Sequence, residues 1–323
     1  MANITIGCDL GGTNLRVGIV DIATGLVTNQ KSVPTQAREG HDAVIRRMAG
    51  LIKEVISQSK IPDKDLGGIG IGVPAVLKPA DGVVVLMPNL YDNWINVPLG
   101  QLITAKVGLP THLINDVRAI TLGEYQHGAG KGSHSMVCFA IGTGIGGGVV
   151  INEQLLLEMD GTAGELGHMI VEPDGQQCGC GNHGCLEAYA SGPAIAAMGI
   201  KAVIQGRTTS IGELVNYDLN QITPQVIADA ANNGDQIASE IFRHAGKLIG
   251  IAAANVALVI GPELFVISGG VASAGELLLQ PIRKTIQERI FVMPKDRIRV
   301  EMAKLGDQAG IIGSAFWAFR QSK

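Results

Sequence analysis

Three cysteines lie close together as Cys178-x-Cys180-x₄-Cys185, and His168 precedes the first by ten positions. One imidazole and three thiolates can close a tetrahedral zinc site, the ligand pattern of a structural metal with no position left open for substrate. Disulfide pairing would leave one of the three without a partner, and it suits a cytoplasmic chain poorly. The remaining cysteines, Cys8 and Cys138, stand in apolar runs and are expected to be buried spectators. Acids bracket the cluster: Glu165 lies three residues before His168, and Glu187 two after Cys185. Exposed glutamates are commonly only solvated, yet carboxylates in such a place can accept hydrogen bonds from hydroxyl groups.

A second set of residues suits phosphate chemistry. Asp9-Leu-Gly11-Gly12-Thr13-Asn14 separates the apolar runs Ile4–Cys8 and Val17–Val20. Gly142-Thr143-Gly144-Ile-Gly-Gly-Gly148 separates Met136–Ile141 from Val149–Ile151. Each reads as strand, glycine turn, strand, and backbone N–H groups in such turns can converge on phosphate oxygens. Glycines also serve hairpin geometry alone. Two such turns in register, followed by a third at Ser268-Gly269-Gly270, favour the phosphate reading. Gly142-x-Gly144-x-x-Gly147 matches the dinucleotide fingerprint but is rejected, because Val149, Val150 and Ile151 follow where a helix is required. Gly128-Ala-Gly-Lys131 is no P-loop, since Tyr125 occupies the position of the first glycine. The first hairpin opens with Asp9 where the second has Ile141. Asn115-Asp116 follows the apolar run Thr111–Ile114 and begins a helical pattern. A carboxylate there is either an ordinary N-cap or a proton acceptor kept ionised by the helix terminus, and one residue can be both.

The elements that must position these groups alternate. Helical periodicity covers about His41–Ser57, Val117–His127, Pro224–Ala231, Gln236–Ala257, Gly275–Ile290 and Gly310–Arg320. Strands are expected near Gly68–Val73, Val83–Met87, His112–Asn115, Leu264–Ser268 and Arg297–Met302. With 323 residues, this is an α/β chain of two similar lobes with a cleft between them. The composition is globular, with 46% hydrophobic and 17% charged residues. A net charge of −4 leaves no basic footprint for nucleic acid or anionic membrane. No signal peptide is expected, because Met1–Ile4 leads straight into a strand. The most apolar stretch, Leu248–Ile260, is expected to be too short for a bilayer, so the expected location is cytoplasmic.

Taken in order, Asp9–Asn14, Asn115-Asp116, the second glycine hairpin, Gly164-Glu-Leu-Gly-His168, the Cys178–Cys185 block and Ser268-Gly-Gly270 resemble the ROK (repressor, open reading frame, kinase) family over nearly the whole chain. The resemblance implies a two-lobed actin-like (ribonuclease H-like) ATPase fold with sugar and ATP in the inter-lobe cleft. It implies one lobe of residues 1–115 plus about 308–323, and a larger lobe of 116–307 with the zinc loop and adenosine site. Asp9, Gly11, Gly12, Thr13, Asn14, Gly142, Thr143 and Gly144 would face the phosphates, Asp9 would act on Mg²⁺ through water, and Gly269 and Gly270 would sit near adenosine. Asp116 would be the catalytic base, and Asn115, Glu165, His168 and Glu187 would bind sugar hydroxyls; the zinc would order the sugar loop, and the family's ligand set leaves out His183.

Met87-Pro-Asn89-Leu90, with Trp94, resembles the glucose-phosphorylating members, with Asn89 a further hydroxyl ligand; without the family it could be merely a turn. Glucose is therefore the leading substrate, with mannose, allose, fructose, N-acetylglucosamine and N-acetylmannosamine as alternatives. A sugar-responsive repressor would need a DNA-reading domain ahead of Ile4, for which no room is expected, and a non-catalytic sensor would not need Asp9 and Asp116. The family also implies a homodimer or homotetramer. Because the nucleotide contacts lie on glycine hairpins far along the chain from the zinc loop, metal loss is expected to harm sugar binding more than nucleotide binding.

Overall fold

A computed structural model describes residues 3–87 and 94–322, with strands and helices throughout. The chain divides into two compact units: Met1–Gly132 with Glu153–Ala163 and Lys304–Lys323, and Ser133–Asn152 with Gly164–Ala303. The first unit holds β1 (Ile4–Leu10), β2 (Asn14–Asp21), β3 (Val27–Pro34), β4 (Leu66–Val73), β5 (Val76–Lys78), β6 (Val83–Met87), β7 (Trp94–Val97) and β8 (Thr111–Asn115). Its main sheet runs β3-β2-β1-β4-β8, and β5-β6-β7 form a small antiparallel sheet. The second unit holds β9 (Met136–Ile141) and β10 (Ile145–Ile151) and, after the two-residue β11 (Gln154–Leu155), β12 (Leu264–Ser268) and β13 (Arg299–Met302). It repeats the pattern as β10-β9-β12-β13. In both units an antiparallel glycine hairpin is followed by two strands added in parallel. The doubling read from the two hairpins therefore extends to the sheets.

All the elements expected from periodicity form, and the hairpin turns are tighter than expected. Asn14 begins β2, and Gly146–Gly148 lie within β10, paired with Cys138–Ala140. Glycine fits this strand because another backbone crosses it closely: a Cβ on Gly147 would run into Leu166 and the Gly164 carbonyl. Trp94 and Met87 are buried in the first unit's core. Asn89 lies outside the described residues.

The helix Ala309–Gln321 lies directly on β1 and β4, and glycine is what permits it. A Cβ at Gly7 would fall on the Ile311 carbonyl, and one at Gly70 on the Ser314 carbonyl. The same helix meets the helix Asp116–His127 through Gly313 and Gly123, whose missing Cβ atoms leave room for the carbonyls of Ala119 and Ala309. Close by, the fully buried Glu124 accepts hydrogen bonds from the backbone N–H groups of Ala129, Lys304 and Leu305. A buried carboxylate held by three donors fixes the chain that leads into the C-terminal helix.

In the second unit, Gln236–Ile260 is 25 residues long and apolar enough to cross a membrane by length and hydropathy, longer than its apolar half suggested. Half of its residues are buried, and Gly246 and Gly250 lie against Pro281, Ile282 and Thr285 of the helix Glu276–Arg289. It packs as a core helix.

Substitution at these contacts should be costly. Gly70→Ala and Gly313→Ala are each expected to destabilise by about 1–3 kcal/mol or more, the range for overpacking. Gly50→Ala has open space within the helix His41–Ser59 and should gain about 0.5–1 kcal/mol. Urea midpoints measure all three, and equal midpoints for Gly70→Ala and the parent would contradict the packing argument.

Candidate active site and metal centre

In the first unit, β1 ends at the hairpin and carries Asp9 opposite Arg16 of β2. Gly11 N–H donates to the Asn14 carbonyl at 2.9 Å, and Thr35 secures the turn by bonding to the carbonyls of Gly11 and Thr13. Gly12 and Thr13 remain exposed at the tip. Burial pushes the Asp9 carboxyl above its ordinary value, Arg16 at 3.4 Å opposes that, and Asp307 adds to it. Gly310, in the first turn of the C-terminal helix, sits under Asp9: a Cβ there would lie 2.9 Å from Cγ. A partly buried carboxylate with a second acid nearby fits a divalent cation, which would restore its ionised form.

The helix Asp116–His127 is capped by Asn115, not by Asp116. The Asn115 Oδ1 accepts from the N–H groups of Val117 and Arg118 and from the Arg118 guanidinium at 3.1 Å. With that oxygen occupied, Asn115 has only its amide group to offer a ligand, one N–H of which reaches the Ala75 carbonyl at 3.5 Å, and Asp116, though not the cap, accepts the Val117 N–H on Oδ1 at 2.9 Å. Burial, then the Asp9 charge, raises the Asp116 carboxyl to about 6, with the Val117 N–H and Arg118 pulling the other way. A value near 6 suits a group that must be ionised at neutral pH and still take a proton. The buried Arg118 also donates to the carbonyls of Thr162 and Ala163 at 3.2 and 2.8 Å, so it holds Asn115 and the segment that continues to Glu165.

In the second unit, the donor atoms of His168, Cys178, Cys180 and Cys185 all lie within 4.8 Å of one another. His168 Nδ1 is 3.7 Å from Cys178 Sγ, and Cys180 Sγ is 3.8 Å from Cys185 Sγ. Ligands at about 2.3 Å in a tetrahedron stand about 3.7 Å apart, so both edges fit zinc. Backbone pairing around Ile170–Cys185 and Gln177–His183 sets this loop, while His183 is outside the cluster. Burial and the neighbouring thiols push Cys185 up to about 12, so a set of thiolates at neutral pH calls for a cation. Nδ1 of His168 faces the cluster, leaving Nε2 for a ligand. Cys8 and Cys138 are buried in β1 and β9 and are not among the cluster's ligands.

The same loop lies against the second hairpin. Glu187 Oε2 accepts from the Ile145 N–H at 2.8 Å, and the Cys178 thiol reaches Glu187 Oε1 at 3.8 Å. Gly192 N–H donates to the Gly142 carbonyl at 2.8 Å. A Cβ on Gly167 would fall on the Ile145 carbonyl. The expected separation of hairpin and zinc loop therefore does not exist; distance along the chain misled. Gly142 and Gly144 close the turn by the Gly142 N–H bond to the Gly144 carbonyl, with Thr143 exposed. Gly269 has φ +88°, and its Cα lies so close to Ile141 that only glycine fits, which brings Gly269-Gly270 beside this hairpin. Glu165 is exposed at the start of the turn bearing His168.

Arg16 and Arg118 were missed from sequence. Both had a signal: Arg16 mirrors Asp9 across the Gly11–Asn14 turn, and Arg118 stands one helical turn beyond Asn115.

Doubled glycine-hairpin sheets, a carboxylate at the first hairpin and another at a helix start define the actin-like ATPase fold class. The chain belongs to the ROK family, whose model matches residues 5–321. A glucokinase of Thermotoga maritima is 36% identical over 96% of this chain and 95% of its own length. One of Halalkalibacterium halodurans is 32% identical over 98% and 95%. Among solved structures, a ROK family glucokinase of Streptomyces griseus in complex with glucose and AMPPNP is 32% identical, with a TM-score of 0.83 over 98% of this chain and 99% of that one.

The raised Asp116 carboxyl has a stability consequence of definite sign. With a folded value near 6 against an ordinary 3.8, the contribution of Asp116 is favourable below about pH 3.8 and is lost as pH rises through 6. Asp116→Asn should therefore stabilise the fold at pH 7 by up to about 3 kcal/mol and give no gain below about pH 4. Thermal unfolding at the two pH values tests this; a loss of stability at pH 7 would reverse the assignment.

Proposed function

We propose that this chain is an ATP-dependent hexokinase acting on glucose, transferring the γ-phosphoryl group to the 6-hydroxyl. The observation that carries the reading is Asp116, a carboxylate raised to about 6 at a helix start and freed from capping by Asn115. The S. griseus relative, bound to glucose and AMPPNP, supports glucose and ATP as the substrates. Asp116 takes the proton of the attacking hydroxyl as its oxygen bonds to the γ-phosphorus and the bond to the β-phosphate bridging oxygen breaks, releasing ADP. Asn115, through its amide group, and Asn89, Glu165, His168 and Glu187 are the proposed sugar ligands. The turns Gly11, Gly12, Thr13, Asn14 and Gly142, Thr143, Gly144 are the proposed phosphate cradles; the N–H groups of Gly11 and Gly142 close the turns themselves, so Gly12, Thr13, Asn14, Thr143 and Gly144 are the proposed donors, and Gly269 and Gly270 leave room for adenosine. Mg²⁺ when bound would neutralise phosphate charge, with Asp9 as its protein partner. Zinc on His168, Cys178, Cys180 and Cys185 would be structural. A cytoplasmic location and assembly as a homodimer or homotetramer belong to the same proposal.

Purified zinc-replete protein assayed for ADP release across a sugar panel tests it, with glucose expected to give the highest kcat/KM. Preference for an N-acetylated hexosamine would move the substrate, and no ADP release with any sugar would end the reading. Asp116→Asn should lower kcat by at least about 10²-fold with sugar binding retained. Asp9→Ala should weaken use of Mg·ATP and spare glucose affinity. A collapse of glucose affinity with unchanged Mg²⁺ dependence would move Asp9 out of the phosphate site.

A further inference from the structure

The second glycine hairpin is held by the metal loop at three points. The Ile145 N–H donates to Glu187 Oε2 at 2.8 Å, and the Gly192 N–H donates to the Gly142 carbonyl at 2.8 Å. The Gly167 backbone presses on the Ile145 carbonyl so closely that no Cβ fits. Of these, Gly167 is joined directly to the ligand His168, and Glu187 lies two residues after Cys185 with Oε1 3.8 Å from Cys178 Sγ. Gly144 completes the fit, because a Cβ there would occupy the place of the Glu187 Oε2 atom. A single carboxylate thus has one oxygen on the hairpin while its backbone is joined to the cluster through Cys185; the Cys178 contact belongs to the protonated thiol, since a zinc-bound thiolate has no proton to donate.

We propose that Glu187 is a positioning residue that ties the second hairpin to the metal cluster, so that metal occupancy sets nucleotide affinity as well as sugar affinity. This rests on reading the hairpin as a phosphate cradle. The physical case is short. A turn that offers N–H groups to phosphate must keep them convergent before the ligand arrives, and a glycine-rich turn has little stiffness of its own. A carboxylate accepting from the Ile145 N–H supplies a charge-assisted bond at the turn's exit, and the Gly192 N–H holds its entrance. Glu187 begins the short helix Glu187–Ala190 two residues after Cys185, so its position follows that of the cluster. Once zinc is lost, the three thiols and the imidazole have nothing to converge on, and the carboxylate loses its place. The hairpin then samples conformations that do not receive phosphate.

The test uses the ligand-free, zinc-loaded chain and amide hydrogen exchange, which needs no assumption about substrate. In Glu187→Ala, exchange across residues 142–147 should be about tenfold faster or more, as for loss of one charge-assisted bond. Titration with a non-hydrolysable ATP analogue should show a comparable rise in Kd, and zinc should stay near one per chain. Glu187→Gln keeps an acceptor for Ile145 and should restore slow exchange and analogue affinity while still raising the KM for sugar. Should Glu187→Ala fail to fold, chelating zinc from the parent chain asks the same question. Faster exchange at 142–147 and weaker analogue binding support the coupling; unchanged exchange and unchanged Kd overturn it. Absence of sugar turnover in the parent chain would sink the kinase reading alone, because the exchange result stands or falls separately.

Discussion

The first unit depends on one constraint: the C-terminal helix must touch the backbone of β1 and β4, not their side chains. Gly7 and Gly70 make that approach possible, and Gly313 with Gly123 repeat it against the Asp116 helix. From this packing the site follows. Gly310 places the first turn of the helix beneath Asp9, and Gly72 leaves room for the Ser314 hydroxyl of the same helix beside β4. Two carboxylates that repel one another are thereby kept near enough for the charge on Asp9 to raise Asp116. A bulkier residue at any of these crossings would widen the gap and release the tuning.

The second unit depends on a different economy of contact. Its hairpin is not stiff by itself, and the metal loop supplies what the glycines lack. The Glu187 carboxylate, the Gly192 N–H and the bare Gly167 backbone all belong to segments flanking the cluster. A cation bound there would, on the proposal above, order the hairpin as well as the loop.

Much of this was readable in the residues. The two hairpins, the His-Cys₃ ligand set and the strand-to-helix position of Asp116 all carry local signatures, because turn chemistry, ligand spacing and periodicity act over a few residues. What was not readable depends on contacts between distant segments. Sequence left open whether Asp116 is an N-cap, a proton acceptor or both, and the structure gives the cap to Asn115 because Arg118 and two backbone donors share its oxygen. Chain distance also concealed that Gly144 and Glu187 touch. The extra glycines of β10 read as a longer turn, since only the crossing of Leu166 shows why a strand would tolerate them.

The make-up of the first unit bears on how the protein is made. Its sheet and the Asp116 helix leave the ribosome early, but the helix that covers β1 and β4 lies at Ala309–Gln321, after the whole second unit. Until those last residues emerge, the bare glycine face of that sheet has no cover, while Ser133–Asn152 and Gly164–Ala303 already possess every strand of their own parallel core. Domains fold as units during synthesis. On that principle the first unit, begun before the second, can be completed only after it, once Ala309–Gln321 has been made.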